Sequence, residues 1–150
     1  MIIKRTMLSA FVAGIAVLAV GVPTASASAA TVSQVIKLRT VDTSFTNLTP
    51  TSFAFTETLW QGKKQIGNDA IQCNFATPSS QTGRCSGILW FNKTGSMLIS
   101  FAVDNNSNTI HGRIMGGTGA YANARGTVEH TQSTVNTSIG WATLTFTLGG

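Results

Sequence analysis

The sequence predicts an all-β domain, and three observations point to an eight-stranded antiparallel β-barrel. Eight segments alternate apolar and polar residues with the two-residue period of a strand whose faces differ. The spacers between them are short and built from Gly, Asn, Ser, Thr, Pro and Lys, which favours hairpins between consecutive strands. The stretch Gly116-Gly117-Thr118-Gly119-Ala120-Tyr121-Ala122-Asn123-Ala124-Arg125-Gly126 joins two such segments and reads as a barrel corner. A sandwich satisfies the same pattern, but closure hides the sheet edges better.

The strands are expected over residues 32–41, 52–61, 70–75, 84–91, 97–104, 109–116, 125–132 and 139–148. In the first, Val35, Leu38 and Val41 are interspersed with Lys37 and Arg39, whose bases suit a solvated face. In the second, Phe53, Phe55, Glu57 and Leu59 share one face, and Ala54, Thr56, Thr58 and Trp60 the other. In the fourth, Cys85, Gly87, Leu89 and Phe91 oppose Ser86, Ile88 and Trp90. The sixth places His111, Arg113 and Met115 together on one face. At the corner, closely spaced glycines permit a sharp turn with positive φ. Tyr121 and Ala124 then plug against a core, and Gly126 restarts extended chain. A dinucleotide-binding reading of these glycines fails, because no helix and no acidic residue about 20 positions on follow them.

The N-terminus reads as an export signal. Lys4 and Arg5 precede an apolar run over 7–22, and the small residues of 25–29 offer cleavage after Ala27 or Ala29. Residues 1–29 are therefore assigned to a signal peptide and 30–150 to a single secreted, extracellular domain, large enough for a real core. No later run is apolar for the roughly 18 residues a membrane span needs, so no membrane association is expected after cleavage. Loss of Lys4 and Arg5 leaves eight basic against five acidic side chains. The bases are scattered without interleaved aromatics, which argues against a nucleic-acid partner.

Cys73 and Cys85 are the only cysteines, and in an exported chain a disulfide is the expected state. One reactive thiol in a pocket is the other reading. If strands three and four are hairpin partners, the disulfide staples them on one face. It would close a loop of about 13 residues and contribute about 3 kcal/mol in the chain-entropy picture. No metal site is expected, since His111 and His130 lack ligand spacing.

Glu57 is the residue whose position suggests chemistry. It lies between Phe55 and Leu59 on the apolar face of its strand. If that face lines a lumen, desolvation raises its pKa and makes it an acid, a base or a dipole that orients a ligand. Pairing with an Arg, or a position in water at the barrel mouth, is the structural alternative, and Arg125 is a candidate partner or anion contact. No clustered carboxylate pair and no nucleophile with an adjacent base is legible, which disfavours hydrolases.

Over residues 51–148 the chain resembles the allene oxide cyclase-like and dirigent proteins. Phe55-Thr56-Glu57-Thr58-Leu59-Trp60-Gln61-Gly62 is similar to a Phe-Thr-Asn-x-Leu-Tyr-x-Gly strand of the cyclases. Ile66-Gly67 followed by Cys73 resembles their Val-Gly…Cys segment. Gly116, Gly117, Thr118, Gly119 and Tyr121, with Ala124-Arg125-Gly126, resemble the dirigent Gly-Gly-Thr-Gly-x-Phe…Ala-Arg-Gly motif. The resemblance implies an eight-stranded barrel, often trimeric, whose lumen takes a hydrophobic small molecule and steers its cyclisation or coupling without a cofactor. It implies Phe53 and Phe55 as lumen walls, Glu57 as the orienting or proton-transferring group, and Cys73 as a lumen residue; Leu59, on the same face of its strand, is a further ligand-contact candidate. The Glu that the cyclases carry on their first strand has no match in Val35-Ile36-Lys37-Leu38-Arg39. A non-catalytic extracellular module with a self-filled core is the alternative reading.

Overall fold

A computed structural model describes residues 33–149; the assigned signal peptide and its cleavage positions lie outside the described residues. The chain forms eight strands: β1 (Ser33–Thr49), β2 (Ser52–Gln61), β3 (Lys64–Phe75), β4 (Thr82–Phe91), β5 (Gly95–Asp104), β6 (Thr109–Gly119), β7 (Ala124–Gln132) and β8 (Ile139–Leu148). Each pairs antiparallel with the next, and β1 also pairs with β8, which closes the barrel. No sheet edge is left open, which settles the choice between barrel and sandwich.

Two strands are longer than their composition suggests. β1 runs on past Val41 to Thr49 through an irregularity between Asp42 and Ser44. There the Thr43 hydroxyl donates to the Thr56 carbonyl at 2.9 Å, so pairing survives the bulge. β3 starts at Lys64 rather than Ala70, because Gly62, with φ +61°, makes a tight two-residue turn directly off β2.

The glycine corner closes the lower end, where the β2–β3, β4–β5 and β6–β7 turns gather. Gly119 adopts φ +59°, as a turn leaving β6 requires. A side chain at Gly126 would run into the Thr145 carbonyl of β8, so only glycine lets these backbones approach. Gly116 and Gly117 remain within β6, opposite Leu98 and Met97. Tyr121 packs its ring 4.8 Å from Phe91 and 5.9 Å from Phe146, and Ala124 beside it is fully buried. Together with Leu59, Met97, Ile114 and Leu144, these residues fill the lower half of the barrel.

Candidate functional site

The upper half of the barrel is open. A cavity of about 330 Å³ lies between the strands, and its mouth is set by Asp104, Asn105, Ser107 and Asn108 at the β5–β6 turn. Its walls are mainly apolar. β2 contributes Phe53 and Phe55, β5 Ile99 and Phe101, and β3 Ile71 and Cys73. Phe45, from the extension of β1, leans over the wall with its ring 5.0 Å from that of Phe53. Phe53 in turn stacks on Phe75 at 5.7 Å. Leu59 lies at the floor, where the cavity meets the solid core.

Cys73 and Cys85 stand directly opposite each other on β3 and β4, with Cα atoms 4.0 Å apart, and are joined by a disulfide. Both are buried, so Cys73 faces the cavity as an apolar bridge and not as a thiol.

The register puts three carboxylates side by side. Asp42 of β1 pairs with Glu57 of β2, and Glu57 pairs with Asp69 of β3. All three line the cavity, contrary to the expectation that no carboxylates cluster. Glu57 is 5% exposed and Asp69 3%. Asp69 accepts the Glu57 backbone N–H at 2.9 Å through Oδ1, which fixes its carboxyl beside that of Glu57.

Burial is the main force on this pair. It raises the pKa of Glu57, against the stabilising hydroxyl of Thr40 and the hydrogen bond to Asp69, while the Asp42 charge raises it further. Asp69 is pushed up to about 9 by burial first and then by the neighbouring Glu57 charge. Both carboxyls are thus pushed toward the protonated form, and as close neighbours they titrate as a pair.

His130 of β7 completes the polar floor. Its Nε2 lies 3.2 Å from the Thr40 hydroxyl, and both groups line the cavity. A methyl group at Gly140 would collide with the ring, so the bare backbone of β8 makes the room. Burial lowers the His130 pKa, opposed by the Asp42 charge, which leaves the imidazole neutral at neutral pH.

Other positions lie elsewhere. Arg125 is exposed on the outside of the barrel and donates to the Ala124 carbonyl at 2.8 Å; it neither lines the cavity nor pairs with Glu57. Odd-numbered residues of β7 face outward here, because Ala124 and Val128 take the inward positions. Lys37 and Arg39 also point out, Arg39 with its guanidinium 5.4 Å from the centre of the Trp60 ring. His111 sits outside, 3.5 Å from Glu129. Among the described residues, no group of three or more His, Cys, Asp or Glu side chains is arranged to hold a metal ion.

Asp69, Asp42, Thr40 and His130 were not singled out as site residues from sequence. Asp69 was legible in principle, because Gly67, Asp69, Ile71 and Cys73 continue a two-residue period.

Solved structures share this barrel. A pyocyanin demethylase matches with a TM-score of 0.64 at 19% identity, covering 75% of this chain and 99% of its own. The pterocarpan synthase dirigent protein GePTS1 matches with a TM-score of 0.67 at 16% identity, covering 85% of this chain and 96% of its own. The fold is that of the dirigent-like barrels. A second pterocarpan synthase dirigent protein, PsPTS1, agrees at a TM-score of 0.63 and 13% identity, with 79% of this chain and 97% of its own covered. No protein-family model and no curated protein sequence matches the chain.

Proposed function

We propose that this dirigent-like barrel binds a hydrophobic small molecule in its upper lumen and moves a proton on it, steering a cyclisation or isomerisation. The observation that carries this reading is the Glu57–Asp69 pair at the floor of an apolar-walled cavity of about 330 Å³. That volume falls in the range of small-molecule sites. Cyclisations and isomerisations add a proton at one atom and remove one at another, with no net change. A carboxyl pair that shares one proton holds both partners, so neither metal nor redox cofactor is needed for the balance. Phe53, Phe55 and Phe101 hold one conformer of the ligand and exclude water, and Glu57 and Asp69 meet its polar atom. The names of the structural neighbours, a demethylase and two pterocarpan synthases, are consistent with this reading.

The protein is read as exported, with the Cys73–Cys85 disulfide as support. A homotrimer is proposed on the outer face, where Trp90, Leu98 and Met115 of β4, β5 and β6 are exposed. The filled lower core is the feature that favours a purely structural module, but it stops short of the upper half.

Native mass spectrometry of protein purified from culture supernatant tests the reading and gives the subunit count in the same spectrum. A reproducible adduct that is lost on denaturation is expected, followed by conversion that Glu57→Gln abolishes without loss of folding. A bare chain that converts nothing when offered the compounds of its own culture medium would sink it.

A further inference from the structure

The chain has five acidic side chains, and four of them line the upper cavity. Buried Glu57 and Asp69 form its floor, Asp42 lines it beside Glu57 but is exposed, and Asp104 stands at its mouth; only Glu129 lies outside. No Lys or Arg lines the cavity, although the chain is basic overall. Among the described residues the only ion pair joins His111 and Glu129 on the outer surface, so no cation of the protein's own balances the lumen. Glu57, 95% buried and facing the cavity, has no cationic partner. Burial of carboxylates without a counter-charge is costly, and protonation of the Glu57–Asp69 pair relieves only part of that cost. The remaining demand is for a positive charge. The aromatic rings of Phe45, Phe53, Phe55 and Phe101 on the same walls offer negative π faces to such a charge.

We propose that the lumen selects a hydrophobic organic cation, a ligand whose apolar body carries a protonated or quaternary nitrogen, and rejects anions such as carboxylates. The inference rests on the lumen reading above and adds the sign of the ligand's charge. A metal cation does not fit, since the carboxylates and His130 are not grouped as ligands. The cation's apolar groups lie against Phe53 and Phe55, and its nitrogen sits over the floor between Asp42 and Glu57.

Acidification should weaken this binding. The titratable groups that face the lumen are Asp42 of β1, Glu57 of β2, Asp69 of β3, Asp104 at the end of β5 and His130 of β7. Strands β4, β6 and β8 bring none there, because Arg84, His111 and Arg113 point outward and β8 has no titratable side chain. As pH falls, Glu57 takes up a proton and His130 becomes charged, and both changes repel or stop attracting a cation.

The test uses three benzyl probes: benzyltrimethylammonium, its uncharged carbon isostere neopentylbenzene, and the smaller anion phenylacetate. Each is titrated into the disulfide-bonded protein at pH 7.5, and the amides of Val128 and Ala142, both lumen residues, are followed by NMR. The cation should bind at least about tenfold more tightly than the isostere, in line with a desolvated cation–π contact reinforced by carboxylates. Phenylacetate should not bind, and the cation's advantage should shrink toward pH 5. Glu57→Gln should remove most of that advantage and leave neopentylbenzene unchanged. Asp104→Asn, at the exposed mouth, should reduce it about twofold and serves if the first variant does not fold. Equal affinity for cation and isostere, or a preference for the anion, overturns the charge selection while leaving the lumen as a binding site. If none of the three shifts the lumen amides, the lumen reading and the charge selection fall together.

Discussion

The lower and upper halves of this barrel are made of the same eight strands with the same alternation, yet one is solid and the other hollow. In the lower half, Leu59, Met97, Ile114, Leu144 and Phe146 meet at the axis, and Tyr121 closes the end. In the upper half the aromatic rings of Phe45, Phe53 and Phe55 pack against one another, tilted, along one wall instead of reaching across. Across the barrel on β6, Gly112 brings no side chain, and beside the aromatic wall the disulfide of β3 and β4 is compact, so the axis stays empty. Three carboxylates occupy the boundary. Their placement turns a packing difference into a chemical one, because a carboxyl pair in a filled core has no access to a ligand and one at an open mouth has no desolvation.

The contrast can be broken by truncating one large side chain in each half. Phe146→Ala, in the solid half, should cost about 3–5 kcal/mol, while Phe53→Ala on the cavity wall should cost about 1 kcal/mol, having no close-packed void to open. Urea midpoints of the two variants measure this, and equal losses would show that the upper half is packed as tightly as the lower. Next in size is the disulfide. Cys73→Ser with Cys85→Ser should cost about 3 kcal/mol by freeing a loop of about 13 residues in the unfolded chain, and should loosen only the upper half in hydrogen exchange.

The carboxyl pair supplies a smaller effect with a definite sign. Asp69 has a folded pKa raised to about 9 against an unfolded value near 3.8. Between those values the folded state binds more protons than the unfolded one, so stability falls as pH rises through that window. His130, with its pKa lowered, acts in the opposite sense only below its ordinary value near 6.5. The protein should therefore melt at a lower temperature at pH 8 than at pH 5.5. Asp69→Asn keeps an acceptor for the Glu57 N–H and removes the buried ionisation. It should flatten that slope and raise stability at pH 8 by at least about 1.4 kcal/mol, the equivalent of one pKa unit. A variant less stable than the parent at pH 8 would contradict the raised pKa of Asp69. The smallest change is expected at Arg125→Ala, within about 0.5 kcal/mol and without effect on lumen binding, since its guanidinium touches the outer backbone of the corner.

Much of this was legible from local pattern. The alternation of β2 placed Phe53, Phe55, Glu57 and Leu59 on one face, and all four line the cavity. Parity alone brought Cys73 opposite Cys85. Misreadings arose where strands continue through residues that usually end them. Gly62-Lys63-Lys64 has turn chemistry, yet β3 already begins at Lys64 and not at the expected residue 70. The bulge following Asp42 similarly ended β1 too early. Arg125 was misplaced because one residue of register decides inside from outside, and the corner's geometry sets that register.

Strand alternation, turn chemistry, the glycine corner and the stapled hairpin are all readable along the chain, because each depends on neighbouring residues or on a period of two. That Asp42, Glu57 and Asp69 are neighbours, that His130 reaches Thr40 across 90 positions, and where filled core gives way to cavity emerge only in the closed barrel. Those facts depend on the register of closure, which couples strands distant in sequence through hydrogen bonds that no local pattern encodes.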